Sequence, residues 1–259
     1  MKIIDTIGEY QKFREAINRG STGFVPTMGA LHEGHQSLID RSIEECDVTV
    51  VSIFVNPTQF NNLDDLDSYP NTLNQDISLL KSLSVDYLFL PDYDEIYADK
   101  YRYAIEEKEF SRHLCGKHRE GHFTGVLTVV MKLLNIVRPT AAYFGEKDFQ
   151  QFQLIREMTQ AFFMEVEIVL CPTVREADGL ALSSRNLNLD VCSRKKAPLI
   201  HELLTRDISD CNLKGQLEQA GFDVDYVETH KGRRFVAATI GNEDKQVRLI
   251  DNVALLEFE

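Results

Sequence analysis

Apolar positions in the first two thirds of the chain alternate between two patterns. Short runs that are apolar on both faces, "GFVPT", "DVTVVSIFV", "VDYLFL", "AAYFG" and "VEIVL", read as buried strands. Between them lie stretches with the 3.6-residue period of amphipathic helices, near residues 8–19, 34–46, 72–83, 123–137 and 148–163. Strands buried on both sides and separated by helices predict βαβ units, hence an α/β fold with a parallel sheet covered on each face. This pattern holds over residues 1–172. Beyond it, "CPTVREADGLALSSRN" reads as loop, "DVCSRKKAPLIHELLT" and "NLKGQLEQAG" as helices, and "DVDYVETH", "RRFVAATI" and "KQVRLIDNVAL" as consecutive strands. A second, smaller α+β domain over residues 173–259 is therefore expected.

Composition narrows the class. With 259 residues, 43% of them hydrophobic, the chain can bury a sizeable core. No run reaches the roughly 18 apolar residues of a membrane span, and "MKIIDTIGEYQKFREA" lacks the apolar run of a signal peptide, so a cytoplasmic location is expected. Cys46, Cys115, Cys171, Cys192 and Cys211 are scattered and never form CxxC, which points to free thiols over a disulfide framework or a zinc ribbon. The formal net charge of −13 disfavours nucleic acid and anionic membranes as partners. An anionic ligand then requires cationic groups gathered locally.

The stretch "PTMGALHEGH" (residues 26–35) supplies such groups where a strand gives way to a helix. If the helix begins near Gly34, His32 precedes it, His35 lies in its first turn, and free backbone N–H groups face the same space, an arrangement suited to phosphate. A satisfied helix cap and a metal site are equally compatible with the bare residues, although "HEGH" lacks the HExxH spacing of a helical zinc site. "HREGH" (residues 118–122) matches neither HExxH nor HxxEH. Neither a Walker A sequence nor GxGxxG occurs, so a nucleotide must be held in another way.

Longer blocks are more specific. "PTMGALHEGHQSLI", "FVNPTQF", "DSYP", "GHFTGVLTVVMKLLNIVRPTAAYFGEKDFQQFQLIREM", "PTVREADGLALSSRN" and "RLIDN" run in order along nearly the whole chain and resemble the pantothenate synthetase (pantoate–beta-alanine ligase) family. "HEGH" is then the His-Xaa-Gly-His signature of the nucleotidylyltransferase superfamily. The resemblance implies a Rossmann-like doubly wound sheet with a smaller α+β lid, and a homodimer. It also implies a two-step ligation: pantoate attacks ATP to give pantoyl adenylate and pyrophosphate, and beta-alanine then displaces AMP to give pantothenate.

The same resemblance implies the site. Met28, Gly29, Ala30, Leu31, His32, Glu33, Gly34 and His35 wrap ATP, with His35 the family's proton donor and both histidines stabilising the transition state. Gly145, Glu146, Lys147 and Asp148 bind ATP, with Lys147 on phosphate; Asp148 could equally be a helix N-cap. Val174 meets adenine, and Leu182, Ser183, Ser184 and Arg185 close over the nucleotide. His32, His35, Lys147 and Arg185 form the catalytic set. Gln59 and Gln151 bind pantoate, and Asn56 helps shape that pocket or simply makes a turn. Mg2+ accompanies ATP chiefly through the phosphates, with Asp76 the acidic side chain placed to assist.

Three departures stand out against the family. Residues 173–259 look compressed between "KKAPLIHELL" and "DVDYVETH", Asn71 stands where arginine is common, and Glu120 replaces proline in "REGHF". Two enzymatic alternatives remain at this level: a nucleotidyltransferase acting on a phosphorylated alcohol or a nucleotide, and a zinc hydrolase using His32, His35, His118 and His122. A non-catalytic interaction module is a third.

Overall fold

The computed structural model describes residues 1–16, 20–61, 66–67, 69–242 and 245–255. Six parallel strands form the main sheet: β1 (Lys2–Ile4), β2 (Thr22–Thr27), β3 (Val48–Ile53), β4 (Tyr87–Phe89), β5 (Ala141–Gly145) and β6 (Glu167–Cys171). Their order is β1-β4-β3-β2-β5-β6. From β2 the chain winds outward through β3 and β4, then returns to β2's other side for β5 and β6. The direction reverses between β2 and β5, so a crevice opens beyond their carboxyl ends.

Alternate residues of each strand feed two different cores, as the two-residue repeat of a strand requires. Phe24, Val50, Phe89 and Phe144 pack with side chains of α1 (Ile7–Ala16), α6 (His122–Val137) and α7 (Phe149–Ala161). Val25, Val51, Leu88 and Tyr143 pack on the other face with side chains of α2 (Glu33–Glu45) and α3 (Leu73–Ser82). The all-apolar runs in the sequence follow from this double burial. Short helices α4 (Tyr93–Ile96) and α5 (Cys115–His118) lie in the connection between β4 and α6.

The rest of the chain forms an antiparallel sheet, β7 (Asp223–His230), β8 (Arg233–Gly241) and β9 (Gln246–Ala254), with α8 (Val191–Lys196), α9 (Leu199–Leu204) and α10 (Asp210–Gln219). Val236, Ala238 and Leu249 pack with these helices. Tyr226, Phe235 and Ala237 instead join the core of the parallel sheet. The second sheet is thus built onto the first.

The predicted strands agree with the observed ones to within two residues at either end, and the predicted helices over the described residues to within two. Positions 17–19, at the end of the first expected helix, and 256–259 lie outside the described residues. "DVCSRKKAPLIHELLT" is two helices, because Pro198 has no N–H to carry the hydrogen-bond ladder onward. β1, α4 and α5 were not legible, being only three or four residues long.

Candidate active site

Two turns at the reversal point build the site. The first follows β2. His32 is the N-cap of α2, and its Nδ1 accepts from the N–H of Gly34 at 3.1 Å, while the N–H of His32 donates to Nδ1 of His35 at 3.4 Å. The two rings lie 4.1 Å apart, tilted by 38°. A side-chain methyl at Gly34 would fall 2.8 Å from Cε1 of His32, so only glycine lets the ring fold back over the backbone. Since both Nδ1 atoms accept, a neutral ring carries its proton on Nε2. Neutrality is enforced: burial, with a contribution from Lys147, lowers His32 to about 4, and burial, with His32 and Lys147, lowers His35 to about 3.

The cap corrects one expectation. The N–H groups of Gly34, His35 and Gln36 are spent within the turn, on His32 Nδ1 and on the His32 carbonyl, so they are not free for a ligand. Asp76 is engaged by the protein's own groups. It is 3% exposed, and its carboxylate accepts from the N–H groups of Ala30 and Leu31, both at 2.9 Å, and from the Thr72 hydroxyl at 3.1 Å. It thereby pins two consecutive left-handed residues, Gly29 (φ 79°) and Ala30 (φ 50°), that redirect the chain from β2 into α2.

The second turn follows β5. Lys147 reaches Asp148 at 3.2 Å. Burial would raise the Asp148 carboxyl, but the Lys147 charge and hydrogen bond, together with the Arg185 charge, hold the group below its ordinary value. Asp148 is the N-cap of α7 by position, yet its side chain makes no capping bond.

Residues from the segment after β6 complete the wall. The N–H of Leu182 donates to the Val174 carbonyl at 3.0 Å, and Arg175 bridges Ala181, which closes residues 174–182 into a narrow loop. Ser183 caps the following turn through the N–H of Arg185, and Ser184 meets the Tyr69 hydroxyl at 3.3 Å.

These parts enclose a cavity of about 220 Å³ whose wall includes His32, His35, Lys147, Arg185, Gln59 and Gln151. Met28, Gly34, Asn56, Gly145, Asp148, Val174, Leu182, Ser183 and Ser184 line it too. The four cationic or imidazole groups and the two amides named from the sequence therefore come together. Gly29, Ala30 and Leu31 lie behind the wall in the pinned turn, and Glu33 is exposed. The Glu146 side chain is likewise absent from the wall, since it pairs with Arg233 of β8 at 2.7 Å. A second cavity, about 670 Å³, lies between the two sheets and shares Met28, Gln59, Lys147, Gln151 and Arg185 with the first.

Comparison with known proteins decides the family. The model of the pantoate-beta-alanine ligase family matches residues 2–254. The pantothenate synthetase of Bdellovibrio bacteriovorus is 52% identical over 254 residues, 98% of this chain and 99% of that protein. The chain belongs to the pantoate–beta-alanine ligase family.

The pantothenate synthetase of Legionella pneumophila strain Lens is 48% identical, over 98% of this chain and 100% of its own length. A crystal structure of the ligase from Francisella tularensis, complexed with beta-gamma ATP and beta-alanine, superposes with a TM-score of 0.93 at 46% identity, covering 98% of this chain and 97% of that one. The pantothenate synthetase of Thermus thermophilus gives a TM-score of 0.87 at 38% identity, with 98% and 99% covered. The compact carboxyl-terminal part expected from the sequence is therefore shared with close relatives. As a member of this family the chain is a ligase of pantoate and beta-alanine.

Asn56 is 1% exposed and fully committed within the protein: Nδ2 donates to Gln59 Oε1 at 3.1 Å and to the Gly125 carbonyl at 3.3 Å, while Oδ1 accepts from Thr58 and Tyr97 hydroxyls. Through its bond to Oε1 it orients the Gln59 amide, and it lines the cavity beside it. A Cβ at Gly125 would sit 2.3 Å from the Thr58 carbonyl oxygen, so glycine is what lets α6 approach this turn. Gln151 faces the cavity, whereas its neighbour Gln150 is buried and bonded to Cys115, Phe110 and His113.

The zinc alternative is overturned by placement. His122 Nδ1 donates to the Gln59 carbonyl at 2.8 Å, its Nε2 accepts from Arg119 at 3.2 Å, and burial, aided by Arg119, lowers it to about 3. His118 lies 3.9 Å from Asp225. Among the described residues no three His, Cys, Asp or Glu side chains converge as a metal site. Sequence reasoning weighed His122 only as a metal ligand; its grip on the Gln59 turn could not be seen without the fold.

Proposed function

We propose that this chain makes pantothenate in two steps within the smaller cavity, with residues 1–172 binding ATP and pantoate and residues 173–259 acting as the lid. The carboxylate oxygen of pantoate attacks the α-phosphorus of ATP, and the bond to the bridging oxygen breaks as pyrophosphate leaves. The amine of beta-alanine then attacks the acyl carbon of pantoyl adenylate, AMP departs, and the nitrogen loses a proton. The first step brings two anions together, so its barrier is dominated by charge and alignment.

Each group has a part in lowering that barrier. His32 and His35 donate Nε2–H hydrogen bonds to the phosphate oxygens without bringing a proton that ATP could remove. Lys147, aimed by Asp148, supplies the point charge, and Arg185, on the loop after β6, closes on pyrophosphate. Gln59 and Gln151 hold pantoate by amide groups that can both donate to a carboxylate and accept from a hydroxyl. Main-chain atoms of residues 145–148, 174 and 182–184 frame the nucleotide. The larger cavity, which shares Gln59 and Arg185 with the smaller, is the route by which beta-alanine arrives.

Mg2+ bound to ATP would shield the β and γ phosphates; with Asp76 engaged by backbone N–H groups, its ligands come from phosphate and water. No helix among the described residues is long and apolar enough to cross a membrane. A cytoplasmic homodimer is the expected working form.

The observation that carries this reading is the convergence of His32, His35, Lys147, Arg185, Gln59 and Gln151 on one cavity at the sheet's reversal point. Isotope exchange between pyrophosphate and ATP tests it. Exchange should require pantoate and proceed without beta-alanine; exchange that needs beta-alanine would contradict the adenylate order. A phosphorylated alcohol or a nucleotide should not support it.

A further inference from the structure

Two blocks of the sequence, "READG" and "RLIDN", supply none of the proposed reacting groups, yet the fold joins them at the edge of the site. On β9, Asp251 and Asn252 are each 4% exposed. Asp251 receives the Arg175 guanidinium through bonds of 2.6 and 2.9 Å, which ties β9 to the residue after Val174. Asn252 grips the other turn. Its Nδ2 donates to the main-chain carbonyls of Glu146 at 3.0 Å and Lys147 at 2.9 Å, and its Oδ1 accepts from Nη1 of Arg233. Arg233 in turn pairs with the Glu146 carboxylate and stands over the Phe149 ring at 4.0 Å.

A primary amide is the neutral side chain that offers two N–H donors on one atom with an acceptor beside them. Both N–H groups and the oxygen are engaged here, and a buried network bonded in this way fixes its members in one arrangement. What it fixes is the pair of peptides that carry Lys147. We infer that Asn252 is a positioning residue for adenylate formation: by holding the Glu146 and Lys147 carbonyls it sets the direction in which the Lys147 ammonium enters the cavity. The inference rests on the reading that Lys147 meets ATP phosphate. An aspartate at 252 would turn a carboxylate oxygen toward two carbonyl oxygens, so isosteric replacement is no substitute.

The test is a double-mutant cycle read by pantoate-dependent pyrophosphate exchange, using Asn252→Ala, Lys147→Ala and the pair. Asn252→Ala should lower the exchange rate at saturating substrates by roughly ten- to a hundredfold, the scale of a misplaced catalytic group. Added to Lys147→Ala, it should cost less than about twofold more, because its effect passes through the lysine already removed. Losses that multiply, or an Asn252→Ala enzyme within about twofold of the unaltered one, overturn the inference. Asn252→Ser, which keeps one donor, should recover part of the rate, and it carries the same test should Asn252→Ala fail to fold; an Asn252→Ser rate equal to that of the unaltered chain also overturns the inference. Absence of exchange in the unaltered chain would instead count against the two-step reading.

Discussion

The turn after β2 and the turn after β5 lie side by side in the sheet and face the same cavity, but they are held in opposite ways. The first is nearly self-sufficient: His32 and His35 cap their own helix, Gly34 makes room for the ring, and Asp76 braces the loop from the next βα unit. The second has no side-chain cap, and its main-chain carbonyls and Glu146 are held by Asn252 and Arg233, more than 80 residues further along the chain. A locally closed turn keeps its geometry wherever the rest of the protein goes. A turn closed by another sheet reports whether that sheet is in place.

Removing His35 probes the first turn most severely. His35→Ala deletes an Nε2–H donor at developing charge and should reduce pantoate-dependent exchange by about a hundredfold or more. The fold should survive, since what is lost is the 3.4 Å bond from the His32 N–H and the contact with the His32 ring, and thermal unfolding should move by a few degrees at most. A collapse in thermal unfolding would make His35 structural and erase the contrast between the turns.

Asp76 tests how far local closure depends on its brace. Asp76→Leu strands two buried N–H groups and should cost about 2–3 kcal/mol of stability in denaturant titrations, with a raised KM for ATP. If only stability falls and the ATP dependence is unmoved, the brace does not shape the nucleotide turn.

Acid should find the first turn before the second. His32 at about 4 and His35 at about 3 are held neutral in the folded protein but titrate near 6.5 when unfolded. Between those values the unfolded chain binds more protons, so stability falls as pH drops below about 6.5 and levels off above it. At pH 5 each ring should cost about 1–2 kcal/mol. His32→Asn/His35→Asn should flatten the pH dependence of unfolding, leaving the contribution of the similarly buried His122. An unchanged slope would mean the rings are not held neutral.

Gly34→Ala is the mildest probe. The added methyl must push the His32 ring aside, costing roughly 1 kcal/mol of stability through the cap and about tenfold in turnover through the displaced ring. Wild-type turnover in this variant would show that the ring has room to spare.

The contrast between the turns also explains what could be read beforehand. Runs such as "AAYFG" and "VEIVL" announced doubly buried strands because their neighbours on both faces are apolar helices. "HEGH" announced a helix entry because cap, glycine and rings fall within four residues. By contrast, the bonds that Asn56 and Asp76 make to the protein's own groups could not be read beforehand, since a polar residue's partner is not written beside it. His122, quoted for a metal spacing it does not have, serves the Gln59 turn 63 residues away.

By itself, then, the sequence determined the alternation of strand and helix, the location of both turns that border the cavity, and a set of polar side chains to look for there, because periodicity, capping and motif spacing act over a few residues. Tertiary structure alone decided which of those side chains reach the cavity, which stand behind it, and that β9 closes around the Lys147 turn. Those outcomes depend on hydrogen-bond partners brought together by the winding of the sheet, and no short-range pattern encodes a partner a hundred residues away.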